Sequence, residues 1–162
     1  MKQIKKVALT LAAFGLTGMV HAAGYGVIDL EKVVESSTYL KQQNASLEQS
    51  VKPQTQKLEQ LGKEIEALQK SAQAKGANVQ QINTQYQAKV TEFQTIQQGI
   101  QTRVQSTIQS TNKTFEGRVK KVAEQLRQEG GLDLVLNKNA ALAFDAKYDL
   151  TAKMIQKVNA IK

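Results

Sequence analysis

The chain has 162 residues, with 22 Lys and Arg against 14 Asp and Glu (net +8), one His, one Pro and neither Cys nor Trp. That length bounds the fold to one modest domain. Without Cys there are no disulfides, thiolate nucleophiles or thiolate metal ligands, and the single His, His21, lies in a leader segment.

Residues 1–22 read as a secretory signal peptide. Lys2, Lys5 and Lys6 form a basic start, and Val7 to Val20 is an apolar run of fourteen, too short to span a bilayer comfortably. Val20-His21-Ala22 supplies a small-residue cleavage site after Ala22. A short membrane anchor is the competing reading. No Cys follows the run, which excludes a lipoprotein signal. Loss of the leader leaves 19 basic against 14 acidic residues, a net charge of +5, and no His.

Tyr25-Gly26-Val27-Ile28-Asp29-Leu30 predicts a short strand, with one or two helical turns over Glu31 to Glu35. Ser36-Ser37-Thr38 offers N-caps for a long helix. Residues 39–129 then carry apolar side chains at helical spacing on both sides of a break at Lys75-Gly76-Ala77-Asn78. The first half repeats in steps of three and four, from Leu40 through Leu47, Val51, Leu58, Leu61, Ile65 and Leu68 to Ala72. Asn44 and Gln54 are its polar positions. That is a coiled-coil seam. The second half, from Val79 and Ile82 to Val122 and Leu126, is dominated by steps of four, so its stripe drifts around the helix. Two helices of ~37 and ~50 residues, roughly 55 and 75 Å long, fold back on each other as a projecting antiparallel hairpin. Pro53 predicts a kink near Gln49 to Pro53. Gly62, Gly99 and Gly117 also interrupt the helices, either as points of bending or as sites of close packing.

Glu129-Gly130-Gly131 ends the second helix. Leu132-Asp133-Leu134-Val135-Leu136 predicts a strand, Asn137-Lys138-Asn139 a turn, and Ala141-Leu142-Ala143-Phe144 a second strand completing a β-hairpin. Asp149 or Thr151 caps a last amphipathic helix carrying Leu150, Met154, Ile155, Val158 and Ile161. The fold class is therefore mainly α with a small β body, and residues 23–38 and 130–162 form a base of 49 residues. A base so small rarely buries enough to stand alone, which points to oligomerisation through the sheet. Val27, Ile28, Leu30, Leu132, Leu134, Val135, Leu136, Leu142 and Phe144 are its candidate residues.

No catalytic constellation is visible, and no cofactor or metal is expected. Asp29 and Asp133 could meet as a carboxylate pair, or stand separately as edge or solvent-facing strand residues; Glu64 and Glu66 read as part of a solvated helix face. Arg103, Lys113, Arg118, Lys120, Lys121 and Arg127 outnumber Glu116 and Glu124 near the root of the second helix. This basic zone could attract acidic polymers or acidic unfolded proteins. The other reading is an ordinary solvated face.

The strand Gly26-Val27-Ile28-Asp29-Leu30, the long Gln-rich hairpin, and above all Leu132 to Ala140 ahead of an amphipathic helix resemble the Skp/OmpH family of periplasmic chaperones. The resemblance covers the whole chain after the leader. It implies a homotrimer shaped like a jellyfish, with a β body and three helical arms around a cavity. It implies an ATP-independent holdase for unfolded outer-membrane proteins. A lipopolysaccharide site proposed in that family uses clustered Lys and Arg on an arm. Here the counterpart, Gln101 to Ser110, holds only Arg103, so that contact stays unassigned. A non-catalytic envelope tether or adaptor is the alternative function. A nucleic-acid partner is not expected, because the chain carries an export signal and no dense basic face.

Overall fold

The computed structural model describes residues 24–162, so the leader expected over residues 1–22 lies outside the described residues. The elements are β1 (Tyr25–Ile28), α1 (Leu30–Glu35), α2 (Thr38–Ala72), α3 (Val79–Glu129), β2 (Leu134–Asn137) and α4 (Thr151–Ala160). Two 3-10 turns, Lys138–Ala140 and Ala146–Tyr148, lie between β2 and α4. The architecture is mainly α with a small sheet, as the periodicity predicts.

Local side-chain chemistry sets each boundary. Asp29 Oδ1 accepts the Lys32 N–H at 3.2 Å and starts α1. Ser37 Oγ accepts the Leu40 N–H at 3.2 Å and starts α2. α2 then continues for 35 residues, with Pro53 inside it and no break in the helix there. Pro53 faces solvent, where the carbonyl freed by its missing N–H can be hydrated. The reversal comes where expected: Gly76 takes φ +79°, and Asn78 Oδ1 caps α3 through the Gln81 N–H at 3.2 Å. α3 closes with Gly131 at φ +57°, the Gly131 N–H on the Gln128 carbonyl and the Leu132 N–H on the Arg127 carbonyl at 2.8 Å. This is a Schellman end. At α4 the N-cap position is Leu150, which gives no side-chain cap, and Asp149 just before it accepts the Thr151 N–H on Oδ1 at 2.8 Å.

β1 and β2 pair in parallel, with Tyr25 opposite Leu134 and Ile28 opposite Asn137, so the whole hairpin is the crossover between two adjacent strands. The predicted β-hairpin is therefore corrected. The second strand begins at Leu134 rather than Leu132, and Ala141 to Phe144 forms no strand. Asn137 Oδ1 turns the chain into a 3-10 turn by accepting the Asn139 N–H, which carries the following segment away from β2. The segment past it meets β1 through one parallel bridge between Val27 and Asp149, in which the Leu150 N–H donates to the Val27 carbonyl at 2.8 Å. Leu142 is left fully exposed. Asp29 is corrected too. It is buried rather than solvent-facing, receives Lys138 Nζ at 3.1 Å, and its backbone N–H donates to Thr151 Oγ1 at 2.9 Å. Asp133 has a different partner, the Gly24 N–H at 2.9 Å, so the two carboxylates serve separate contacts.

The core joins all parts of the base. Ile28, Val33, Met154 and Val158 pack with Val122 and Leu126 from the last turns of α3. Val135, Leu150 and Phe115 lie against this cluster half-buried. The arm's own root thus supplies two of the six buried residues of this core, which therefore reaches beyond residues 23–38 and 130–162.

Met154→Ala should lower stability by about 2–5 kcal/mol, since the side chain is fully buried. Gly131→Ala should lower it by about 1–2 kcal/mol, because an L side chain is strained in the left-handed region. Urea unfolding at fixed protein concentration measures both, and an unchanged midpoint in either variant would contradict the packing described.

Candidate functional site

α2 and α3 pair antiparallel, as Lys57–Glu92 (3.2 Å), Glu64–Lys89 (2.6 Å) and Gln69–Tyr86 (3.2 Å) show by their opposed numbering. The predicted seam is the sheltered stripe. From Leu40 to Ala72 each seam residue is buried or half-buried except Asn44. On α3 the stripe fails at its two exposed members, Val79 (58% exposed) and Ile108 (48%). In the seam outside the core cluster, only Leu61 and Thr111 are fully sheltered.

Two kinds of surface remain on the arm. Near the tip the helices diverge around an open groove of about 440 Å³ lined by Leu68, Ala72, Val79, Ile82 and Tyr86, with Gln69 and Gln73 at its edge. Further down, the groove between the helices is polar, with Gln54 opposite Thr95, Gly99 and Thr102. The buried carbonyl oxygen of Gln54 has no protein partner there.

Glu64 is corrected: it belongs to the interhelical contact rather than to a solvated face. Lys89 first, then Gln60, hold its carboxyl below the ordinary range, and Glu64 in turn raises Lys89. Glu66 does stand on the solvated face, paired with Lys70 of its own helix. Among the described residues no group of acidic residues could hold a metal ion, and no helix is long and apolar enough to cross a membrane.

The basic zone divides. Arg118 Nη1 donates to the Ile161 carbonyl at 2.8 Å, and its guanidinium lies 4.0 Å over the Tyr39 ring. Arg127 pairs with Glu124 and donates to the Leu132 carbonyl. Both therefore tie the root together. Lys120 pairs with Glu116 one turn away, at high exposure, where such pairs contribute little. Arg103, Lys113 and Lys121 are exposed, with no ion pair among the described residues.

The predicted hinge residues also separate. A Cβ at Gly62, Gly99 or Gly117 would meet nothing within 4 Å, which rules out close packing as the reason for glycine. Gly99 shares a groove with Gln54, next to Pro53, so helix breakers on both arms meet at one level. Gly62 and Gly117 lie away from that level.

In the base, Tyr25, Leu134 and Leu136 are 37–42% exposed and Leu142 wholly so, whereas Val27 and Ile28 are buried. Leu30, Leu132 and Phe144 are half-buried. Periodicity gave no sign of Asn159, which binds the α1–α2 junction 121 residues away.

A profile for the family described as outer membrane protein (OmpH-like) matches residues 24–158. An OmpH-like candidate outer membrane chaperone from Caulobacter crescentus has a similar crystal structure: TM-score 0.63 at 18% identity, over 99% of this chain and 90% of that one. No curated protein matches the chain.

Two measurements test the arm and its charges. Gly62→Ala, Gly99→Ala and Gly117→Ala should each raise stability by up to about 1 kcal/mol, with increased helical circular dichroism. A loss of stability would mean that the glycines are structurally required. The pH dependence follows from depressed carboxyls. Lys32 and Lys138 hold Asp29 below 3.8, and Arg127 and Gln128 bring Glu124 to about 2. A depressed carboxyl adds stability above its unfolded value and loses it as pH falls through the folded one. Thermal midpoints should therefore hold from neutrality to about pH 4.5 and fall toward pH 2. Asp29→Asn should flatten that fall; an equal slope would remove Asp29 as a source.

Proposed function

Because this chain belongs to the OmpH-like outer membrane protein family, we propose that it is an ATP-independent holdase chaperone of the periplasm, exported by residues 1–22. Its clients are unfolded outer-membrane proteins, which it keeps from aggregating before membrane assembly. The observation that carries the reading is the arm. It is long, polar and two-legged, its seam is narrow, and apolar seam residues such as Val79 and Ile108 stay exposed rather than covered by the partner helix. Nascent barrel chains alternate apolar residues and present unpaired edges, which makes them prone to associate. Many weak contacts from such an arm hold a chain without ordering it.

The working unit in this reading is a homotrimer joined through the base. Tyr25, Leu134, Leu136 and Leu142 supply the apolar face, and the open outer edge of β2 supplies unpaired backbone groups. Arg103, Lys113 and Lys121, with Lys120, attract acidic clients. The level of Pro53, Gln54 and Gly99, helped by Gly62 and Gly117, lets the arms bend around clients of different size.

A denatured porin diluted from urea should scatter less light at a stoichiometric ratio of this protein, without ATP. Unchanged scattering would overturn the chaperone reading and leave the envelope tether or adaptor. Stopped-flow association with acidic clients should slow between low salt and ~0.5 M, where screening acts within about 4–5 Å. A variant with Arg103→Gln, Lys113→Gln and Lys121→Gln should lose that dependence, and salt-independent association in the parent would remove the basic zone. Light scattering after size exclusion should give three copies. Leu134→Asp or Leu142→Asp should give monomers, and a stable parent monomer at micromolar concentration would contradict the assembly.

A further inference from the structure

The two legs of the arm are attached to the base by different means. α3 is held by apolar burial, through Val122 and Leu126. α2 has no such anchor; its one buried residue, Leu61, lies more than six turns from its start. Between α1 and α2 there are only Ser36 and Ser37. Besides its link to α1 through the buried Ser37 and the half-buried Leu40, the root of α2 is held by a polar clasp from α4 and α3.

The clasp answers groups that helix ends leave open. Thr38 is the first residue of α2, and its N–H has no acceptor within the helix. Asn159 Oδ1 accepts that N–H at 3.0 Å and the Thr38 Oγ1 hydroxyl at 3.1 Å. Asn159 Nδ2 donates to the Ser36 carbonyl at 3.0 Å. At the end of α4, the Ile161 carbonyl is likewise open, and Arg118 fills it at 2.8 Å while covering Tyr39 of α2. A cation suits a helix C-terminus. One side chain from α4 and one from α3 thus meet the first two residues of α2.

We propose that Asn159 and Arg118 are positioning residues that give the arm its second point of attachment and so limit its swing about the base. With the clasp open, the arm is held by the apolar root of α3 and by the two-residue link from α1. The inference does not rest on the chaperone reading, because it concerns the free protein.

The absence of cysteine allows spin labels at Glu48→Cys and Lys153→Cys only. Both positions are exposed, and Glu48 lies below Pro53, so bending further up the arm is not read. Glu48 is roughly 15 Å above the start of α2, so a swing of about 20° moves it by roughly 5 Å. Labelled chain diluted with unlabelled chain, without client, is measured by pulsed dipolar spectroscopy. Asn159→Ala and Arg118→Gln should each broaden the distance distribution by that order, with helical content and assembled mass unchanged. Asn159→Asp keeps the acceptor for Thr38 but loses the Nδ2 donor and sets a carboxylate oxygen against the Ser36 carbonyl, so its width should fall between those of the parent and Asn159→Ala. Parent-like widths in both Asn159→Ala and Arg118→Gln would overturn the proposal. Loss of the base fold in both would also overturn it, since the contacts would then be part of the core rather than a device acting on the arm.

Discussion

The contact of Val122 and Leu126 with Ile28, Val33, Met154 and Val158 is what the remaining structure depends on. β1 and β2 have four residues each and α1 has six. Elements so short cannot bury enough apolar surface to order themselves. The end of a 51-residue helix supplies the rigid surface they lack. The sheet then forms on that surface from two ends of the chain, and the parallel pairing follows. A strand before the hairpin and a strand after it, both leaving the same root, run in the same direction. Arm and base are in this sense one folding unit.

Beyond the root, the arm is stabilised by a single stripe of half-buried contacts. Leu61 and Thr111 are its fully sheltered seam members outside the core cluster. Few buried contacts and much exposed backbone make local opening cheap. The glycines fit this picture, since none of the three has a neighbour that a methyl group would disturb. The unpartnered Gln54 oxygen at the level of Gly99 marks the same kind of weak layer. Stability is thus graded along the arm, highest where it enters the base.

Charge plays two roles here. Arg118 and Arg127 act through carbonyls at helix and strand ends, where a guanidinium can meet several acceptors at fixed geometry. Lys113 and Lys121 stand in solvent, with no ion pair among the described residues. A count of basic residues treats the two kinds alike. The buried position of Asp29 shows the same point for acids: it caps α1, holds Lys138 and sits beside Thr151, linking three chain segments.

The helical hairpin, its reversal around Gly76, the cap at Ser37 and the stop at Gly131 were all legible in the sequence. Each depends on neighbours a few residues apart, where side-chain chemistry and helical period act directly. The pairing of the strands was not legible. Ala141 to Phe144 has the composition of a strand, but strand formation needs a partner edge, and the 3-10 turn after Asn137 carries the segment away from the open edge of β2. Nor could spacing separate the structural arginines from the exposed lysines, or reveal Asn159, because their partners are distant in sequence. Sequence by itself determined which segments are helical and where they end, because those choices are local. Only the tertiary structure decided strand partners, the membership of the core and which charges are free, because burial and hydrogen-bond partners exist only once distant segments meet.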